Sequence, residues 1–432
     1  MNDSPFLDFL LLRDLNVRVV VIGSILLGVG SAAIGCFALL RKRALVGDGV
    51  AHAVLPGVAI AYMVTGTKNT FALLIGATIA GWISMVVMDF ISRRSRIRED
   101  AAIGIVLSVF FGLGILLVTH IQATGSSSQS GLDKFLFGQA ASLVLNDVVV
   151  FGAVSVLLVV AIMLLFKDFK ILSFDPEFTQ TIGLPARGLS LVMTTLLVLA
   201  VVVGIQAVGV VLMAAMLITP AASARYWTVR LGIMLVLASA FGALSGVGGA
   251  FVSYVAPRMP TGPWIVMFAT FFFVASLLFA PKRGVVARVV RHQLNRRRTL
   301  AENILKTMHM LGEDDGDVFA PRSESDIQAR RRIPTVRLHL GLRRLQRDGY
   351  AVESKERHWR LTQEGARQGA RVTRLHRLWE VYLTQYLQIA PDHVHEDAES
   401  IEHVLTPELE EELDRLLERP LADPHARAIP RR

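Results

Sequence analysis

Long apolar runs separated by short polar segments make up the first two thirds of the chain. A helix that crosses a bilayer needs roughly 20 mostly apolar residues, and the runs are of about that length. They predict about nine membrane spans, with eight or ten as alternatives because one run is short and two lie close together. The predicted spans are residues 17–40, 49–64, 70–91, 101–120, 148–166, 188–204, 206–224, 231–255 and 263–280. The fold class is therefore mainly α, a polytopic helical membrane domain followed by a soluble part.

Basic residues are concentrated in every other loop of the predicted topology. The loops after odd-numbered spans carry clusters of Arg and Lys, such as those at 41–43 and 93–98. The loops after even-numbered spans carry only Lys68, Lys134 and Arg258. Because cytoplasmic loops are enriched in Lys and Arg, the asymmetry predicts a multi-pass protein of the inner membrane. Its N-terminus lies outside and its C-terminal domain lies in the cytoplasm.

An aspartate and a histidine stand inside the second apolar run, within residues 47–57. Ionisable groups in a span are costly and persist mainly where they face water, a partner or an ion. Asp48 and His52 are four positions apart, so on a helix they share one face. A carboxylate with an imidazole suits a divalent transition metal, which makes the pair a candidate for a transport pathway. The alternative is a capping aspartate beside a hydrogen-bonded, buried histidine.

The loop 167–187 contains the signals of a short helix. Asp175 is a typical N-cap, Pro176 suits the first helical position, Glu177 is an early acid, and Gly183 ends the turn. We expect a helix along the inner membrane surface, either as a docking element for a cytoplasmic partner or as an ordered loop. The chain has no phosphate-binding loop of the Gly-x-x-x-x-Gly-Lys-Ser/Thr type, so ATP-driven transport would need a separate ATPase.

The overall composition, 53% hydrophobic with a net charge of +9, conceals a change in character near residue 281. Residues 281–377 contain 23 Lys and Arg against 11 Asp and Glu, whereas 378–432 contain 5 against 13. Basic residues just inside the membrane are attracted to anionic lipid, which accounts for part of the positive charge. The remainder indicates a basic module followed by an acidic one.

The basic module predicts helices over 299–311, 324–331 and 335–347, then a hairpin over 350–361. Three helices and a hairpin make a winged helix, whose third helix can enter a DNA major groove. Its candidate nucleic-acid contacts are Arg337, His339, Arg343 and Arg347. Docking to protein, or simple solvation of a charged helix, is the alternative.

Carboxylates and imidazoles recur at helical spacing in the acidic part. Mixed nitrogen and oxygen ligands fit manganese, iron(II) or zinc rather than copper or calcium. Chance clustering on solvated helices is the alternative. The candidate metal ligands are His376, Glu380, His395, Glu399, Glu402 and His403.

Over roughly residues 10–284 the chain resembles the membrane subunits of zinc- and manganese-type ABC importers. The matching segments are 47–57, 174–178, 183–185, 206–209, 219–222 and 260–263. The resemblance implies a dimeric permease that receives metal from an extracytoplasmic binding protein and couples to a separate ATPase. It implies that the helix around Asp175, Pro176, Glu177 and Gly183 contacts that ATPase.

The C-terminal part resembles metal-dependent repressors of the diphtheria-toxin-repressor and manganese-regulator type, over 375–380, 395–405, 423–425 and 429–430. The resemblance implies two ligand clusters, one with His376, Glu380 and His395 and the other with Glu399, Glu402 and His403. Asn303 and Lys306 depart from the family, which has a ligand and an acid at these positions. One cluster is therefore expected to be incomplete or altered in selectivity.

These features predict four segments. They are a permease domain (1–284), a basic juxtamembrane linker (285–298), a winged-helix domain (299–371), and a metal-binding and dimerisation domain (372–432). The predicted protein is not an enzyme but the translocation subunit of a divalent-metal importer with a metal-sensing domain. A membrane-tethered, metal-dependent DNA-binding regulator and a metal-chelate permease with a vestigial tail are the alternatives.

Overall fold

The computed structural model describes residues 8–9, 11–66, 69–123, 145–256, 259–390, 407–418 and 420–430. The chain divides into two compact units, Met1–Arg288 and Val289–Arg432.

The first unit is built from helices. They are α1 (Leu15–Leu40), α2 (Val46–Ala53), α3 (Leu55–Thr65), α4 (Thr70–Arg94), α5 (Glu99–Ala123), α6 (Leu145–Leu164), α7 (Phe166–Phe174), α8 (Pro176–Thr181), α9 (Ala186–Val208), α10 (Val210–Trp227), α11 (Leu231–Val255) and α12 (Thr261–Phe279). Within the described residues, eight helical segments are long and apolar enough to cross a membrane, α2 and α3 together forming one of them. The chain is therefore a multi-pass membrane protein.

The predicted seventh span corresponds to α10, which is not among those eight. It is an 18-residue helix with Pro220 inside it, and it packs against α1, α11 and α12. Gly209, at φ 91°, separates α9 from α10, a conformation that glycine adopts without steric cost. The total of nine spans stays a prediction.

Local sequence explains where several helices begin. The Asp14 carboxylate accepts a hydrogen bond from the Asn16 backbone N–H at 2.9 Å, and the Asn69 side-chain oxygen accepts one from the Phe71 N–H at 3.0 Å. Both satisfy N–H groups that have no partner within the first helical turn.

Glycines set the closest helix crossings in the first unit. A Cβ on Gly28 would lie 2.5 Å from the Gly242 carbonyl oxygen, where α1 crosses α11. A Cβ on Gly57 would lie 2.1 Å from the Gly76 carbonyl oxygen, where α3 crosses α4. Small residues allow such approach in a membrane, where packing rather than hydrophobicity drives helix association.

The second unit combines helices with a small sheet. Its elements are α13 (Val285–Asp315), β1 (Arg322–Ser323), α14 (Glu324–Arg330), α15 (Thr335–Arg347), β2 (Ala351–Lys355), β3 (His358–Leu361), α16 (Gln363–Tyr386) and α17 (Pro407–Leu416). The first four residues of α13 belong to the first unit. The sheet order is β1-β3-β2, with both pairings antiparallel. Three helices followed by a hairpin are thus present as predicted, but α13 begins at Val285 and includes the residues predicted to form a linker.

Apolar residues from α13, α15 and the hairpin form one core of this unit. Leu338, Leu342 and Leu345, predicted to face inward, are at most 1% exposed. They share a cluster with Ile304 and Trp359. Residues of α16 and α17 form another cluster with Ile429. Because the core-facing leucines repeat at helical spacing, the opposite face of α15 is left to solvent.

A buried arginine joins distant parts of the second unit. The Arg377 guanidinium donates to both Glu313 carboxylate oxygens, at 2.6 and 3.2 Å, and lies 3.5 Å from an Asp423 oxygen. Its side chain is 4% exposed. Burial lowers the pKa of the neighbouring His309 imidazole, Glu313 opposes that shift, and Arg377 adds to it. Arg377 thereby ties α13, α16 and the C-terminal loop together.

Candidate functional site

Asp48 and His52 lie together on the buried helix α2. The Asp48 Oδ1 atom is 3.7 Å from the His52 Nε2 atom, and the His52 ring meets the Phe111 ring edge-on at 5.1 Å. The side chains are 41% and 21% exposed, respectively. Residues on every other side of α2 are buried, because it packs against α4, α5, α9 and α10. The shared face predicted from the spacing is present.

Four side-chain polar atoms in this unit are buried without a hydrogen-bond partner among the described residues. They are Oγ of Ser24 and of Ser31 on α1, Nδ1 of His52 on α2 and Oε1 of Gln206 on α9. An unsatisfied buried polar atom costs about 1–3 kcal/mol, so its persistence points to a ligand or water. Gln206 lies on α9, one of the helices that packs against α2. It was not predicted as a site residue, although its position within an apolar run was a detectable signal.

The pair is suited to transient contact with a cation. No group of three or more His, Cys, Asp or Glu side chains that could hold a metal occurs in the described parts of the chain. Asp48 and His52 supply two donors, and the rest of an ion's coordination would come from carbonyl groups or water. A transported ion must be bound weakly enough to leave, which a two-donor site allows.

The predicted helix in the loop 167–187 is present as α8. The Asp175 carboxylate accepts a hydrogen bond from the Phe178 backbone N–H at 2.8 Å, Pro176 takes an early helical position, and Gly183 has φ 81°. Glu177 is exposed in its first turn. Sequence reasoning missed the apolar surface here: Phe174, Phe178 and Ile182 are 58%, 51% and 45% exposed.

In the second unit, His376 and Glu380 form a buried pair on α16. The His376 Nε2 atom is 3.1 Å from the Glu380 Oε1 atom, and each side chain is 3% exposed. The other four predicted ligands, His395, Glu399, Glu402 and His403, lie outside the described residues. The described pair supplies one nitrogen and one oxygen donor, which fits part of a transition-metal site.

The first helix of this unit fits a metal less well. Lys306 on α13 is 2% exposed, and a charged lysine donates hydrogen bonds but offers no lone pair to a metal. Asn303, on the same face one turn earlier, carries no charge. Helix α13 packs against α16, since a Cβ on Gly369 would lie 2.9 Å from the His309 Cβ. Residues that could hold a regulatory ion in the described part are therefore His376 and Glu380.

The predicted nucleic-acid contacts lie on α15, and three of the four are exposed: Arg337, Arg343 and Arg347. His339 instead contacts Glu324, with 2.9 Å between Nδ1 and Oε1. The same Glu324 oxygen accepts a hydrogen bond from Trp359 Nε1 at 3.3 Å. This carboxylate is 7% exposed and connects α14, α15 and β3.

A cleft of about 890 Å³ lies beside α15 in the second unit. Arginines from α13 and α15 line it, together with Asp348. The arginines are Arg296, Arg297, Arg337, Arg343, Arg344 and Arg347. So many cations along one cleft favour a polyanionic ligand.

The apolar helices and their glycine crossings define a polytopic membrane protein. Residues 14–280 match the model of the ABC 3 transport family. The chain belongs to that family. Residues 362–431 match a second model, the iron-dependent repressor metal-binding and dimerisation domain.

Similar proteins include one relative aligned over most of this chain and another aligned over two thirds of it. The manganese transport system membrane protein MntC of Bacillus subtilis is 42% identical over 382 residues, which cover 88% of this chain and 87% of the relative. That alignment includes much of the second unit, because the first ends at Arg288. The zinc transport system membrane protein TroC of Treponema pallidum is 43% identical over 67% of this chain and 96% of its own length.

A solved structure shares the fold of the first unit. PsaBC from Streptococcus pneumoniae, in complex with Fab, matches 67% of this chain and 99% of its own with a TM-score of 0.59 and 33% identity. The resemblances inferred from sequence, to metal-type ABC importer subunits and to metal-dependent repressors, are confirmed by the two family matches and these relatives.

Proposed function

We propose that this chain is the translocation subunit of an ABC importer for a divalent transition metal, and that its second unit senses metal and regulates transport. The observation that carries the first part is the Asp48–His52 pair on α2, with a buried ring nitrogen that lacks a partner among the described residues. A carboxylate and an imidazole in a membrane helix suit a passing cation better than an organic solute.

The transported metal is manganese, zinc or iron in this proposal. Relatives named for manganese and for zinc transport have similar identity to this chain, 42% and 43%. Carboxylate and imidazole donors accept each of the three ions. Selection between them would then depend on the delivering protein and on metal availability.

Its partners would be those of an ABC importer. They are a separate ATPase subunit, an extracytoplasmic metal-binding protein and a second permease subunit, as a homodimer. The N-terminus would lie outside and the second unit in the cytoplasm, because the basic loops alternate along the chain.

The second unit would bind the same class of metal through His376 and Glu380, with the remaining predicted ligands His395, Glu399, Glu402 and His403. An ion that binds one conformation of the importer more tightly shifts its population by that difference in affinity. Lys306 would weaken one of the two clusters, because its ammonium group repels a cation.

A membrane-tethered DNA-binding regulator is the second candidate. The arginine-lined cleft beside α15 supports it, with Arg337, Arg343 and Arg347 exposed. Specific retardation of a DNA fragment by the purified full chain would favour this function. Retardation that disappears equally for every sequence at moderate salt would indicate only charge attraction.

The proposed function is tested by metal content and metal binding. Cells that lack this chain are expected to contain less of one of manganese, zinc or iron, and the full chain should restore it. Calorimetry on the purified full chain should show fewer bound ions after His376→Ala, because a buried ligand is lost. The matched control is Glu412→Ala, an exposed acid of α17. Normal content of all three metals in the deletion strain would refute the transport function.

The exposed apolar surface of α8 leads to a separate prediction. Phe178→Asp is expected to reduce ATPase-coupled metal uptake at least about tenfold, since it places a charge in the proposed contact with the ATPase, a loss of about 1.4 kcal/mol or more. The substitution should leave the membrane level of the chain unchanged, because Phe178 is 51% exposed. Uptake and copurification of the ATPase are the measurements.

A matched control is Val229→Asp, which places the same charge at an exposed apolar residue outside α8, since Val229 is 62% exposed. Full uptake by Phe178→Asp would show that α8 does not transmit ATPase motion.

A further inference from the structure

A groove with a volume of about 360 Å³ runs between α4 and α9 in the first unit. On α4 its lining residues recur every three or four positions, so they form one helix face. Trp82, Val86 and Phe90 belong to that face, and Leu191 lies opposite on α9. Neither Asp48 nor His52 is among the described residues that line the groove.

The middle of the groove is apolar and uncovered. Trp82, Val86, Phe90 and Leu191 are 39%, 47%, 62% and 53% exposed. All four lie in helices that are long and apolar enough to span a membrane. In a bilayer, such side chains contact either acyl chains or another protein.

One end of the groove is basic. Arg93, Arg94 and Arg187 line it and are exposed. Asp89 is the acid among the described lining residues, and it is already engaged by Arg43 from outside the groove at 3.2 Å, with Arg93 3.6 Å away. The Arg94 guanidinium lies 6.0 Å from the centre of the Phe90 ring, where the basic end meets the apolar part. The groove end therefore retains a net positive charge.

We infer that this groove is a binding site for an anionic phospholipid. One acyl chain lies along Trp82, Val86 and Leu191, and the phosphate lies among Arg93, Arg94 and Arg187. Guanidinium groups pair with phosphate through two parallel hydrogen bonds. Basic pockets between membrane helices on the cytoplasmic side bind anionic headgroups in this manner.

Charge argues against a second copy of the chain as the occupant. A protein interface across this groove would have to bury three arginines, and interface cores are depleted of charged residues. Removing arginine from water without an acid to pair with it is strongly unfavourable. A lipid phosphate supplies the missing negative charge and remains at the membrane surface.

The experiment uses the full chain in nanodiscs that contain equal amounts of phosphatidylglycerol and phosphatidylethanolamine. Native mass spectrometry then counts the lipids that stay bound after release. We expect preferential retention of phosphatidylglycerol. The triple variant Arg93→Gln, Arg94→Gln and Arg187→Gln should lower that retention at least about tenfold, because each arginine attracts anionic lipid.

Three exposed arginines outside the groove provide a matched control. The variant Arg96→Gln, Arg98→Gln and Arg230→Gln removes the same charge from the same protein and should retain phosphatidylglycerol. Equal loss in both triple variants would show nonspecific attraction and overturn the assignment. So would unchanged retention in the groove variant.

A second variant separates a lipid from a free phosphate. Leu191→Trp fills the apolar part and leaves the arginines in place, so lipid retention should fall. If inorganic phosphate competes with the retained lipid equally well in the original chain and in Leu191→Trp, the site recognises phosphate alone. That result would contradict the role of the acyl chain.

Cross-linking tests the protein alternative. The single cysteine, Cys36, is buried, so Val86→Cys introduces an exposed thiol into the groove. We expect no disulfide between copies in native membranes. An efficient Val86→Cys cross-link between two chains would assign the groove to the dimer interface and refute the lipid site.

Discussion

Alanine at Asp48 or at His52 is expected to lower accumulation of the transported metal at least about tenfold, equivalent to about 1.4 kcal/mol or more of lost stabilisation for the ion in the pathway. Each substitution removes one of the two donors that α2 presents on its shared face, 3.7 Å apart. The remaining donor would face the ion with too few partners to replace its lost water. Uptake of manganese, zinc and iron by cells that carry each variant is the measurement.

The variants must reach the membrane for this result to count. His52→Ala removes a buried ring nitrogen that has no hydrogen-bond partner among the described residues, but it also removes the ring that packs edge-on against Phe111. The membrane level of each variant is therefore measured together with its uptake. His120→Ala is the matched control, because His120 is exposed at the end of α5 and should transport normally. Normal uptake by both Asp48→Ala and His52→Ala, at normal membrane levels, would exclude this pair from the pathway.

The second large effect is expected in the soluble unit, where Arg377→Ala should destabilise the packing of α13 on α16 by about 3–5 kcal/mol. The substitution leaves the Glu313 and Asp423 carboxylates without the guanidinium that contacts both. Asp423 is itself buried, at 7% exposure. The Asp423 carboxylate keeps its hydrogen bonds from the His425 and Arg427 backbone N–H groups, but a buried carboxylate charge without its cation is costly.

Hydrogen exchange of the full chain measures this effect locally, which suits a protein with two units. Backbone amides of α16 should exchange at least about a hundredfold faster in Arg377→Ala. Arg415→Ala is the control, since its ion pair with Glu412 is exposed at both ends, 70% and 65%. Such surface pairs contribute about 1 kcal/mol at most. Equal protection in Arg377→Ala and the unchanged chain would mean that the network contributes little to stability.

Much of the membrane unit could be predicted from the sequence because its signals are local. A membrane span can be identified in the sequence from the apolar length that a bilayer requires. The start of the α8 helix can be identified from Asp175 and Pro176. The inward stripe Leu338, Leu342 and Leu345 follows from helical spacing alone. Among the described residues, α10 is not one of the helices long and apolar enough to cross a membrane, and it carries Pro220 in its interior.

Contacts between distant segments could not be predicted in the same way. Glu324 contacts Trp359, which lies 35 positions away in the sequence, and Arg377 contacts Glu313, which lies 64 positions away. His339 was predicted to contact nucleic acid, but its ring contacts the Glu324 carboxylate instead. The exposure of the apolar side chains of Phe174, Phe178 and Ile182 could not be predicted either, because the sequence does not show which face of a short helix remains uncovered.

The sequence alone determined that this protein crosses the membrane many times, places Asp48 and His52 on one helix face, and carries a basic and then an acidic soluble segment. These properties depend on residue type and on helical periodicity, which act over a few positions. The tertiary structure decided that the His52 ring nitrogen is buried without a hydrogen-bond partner among the described residues, that Arg377 holds three segments together, and that α4 and α9 leave a groove with a basic end. Each of these depends on which distant side chains meet, and that is fixed by packing rather than by spacing along the chain.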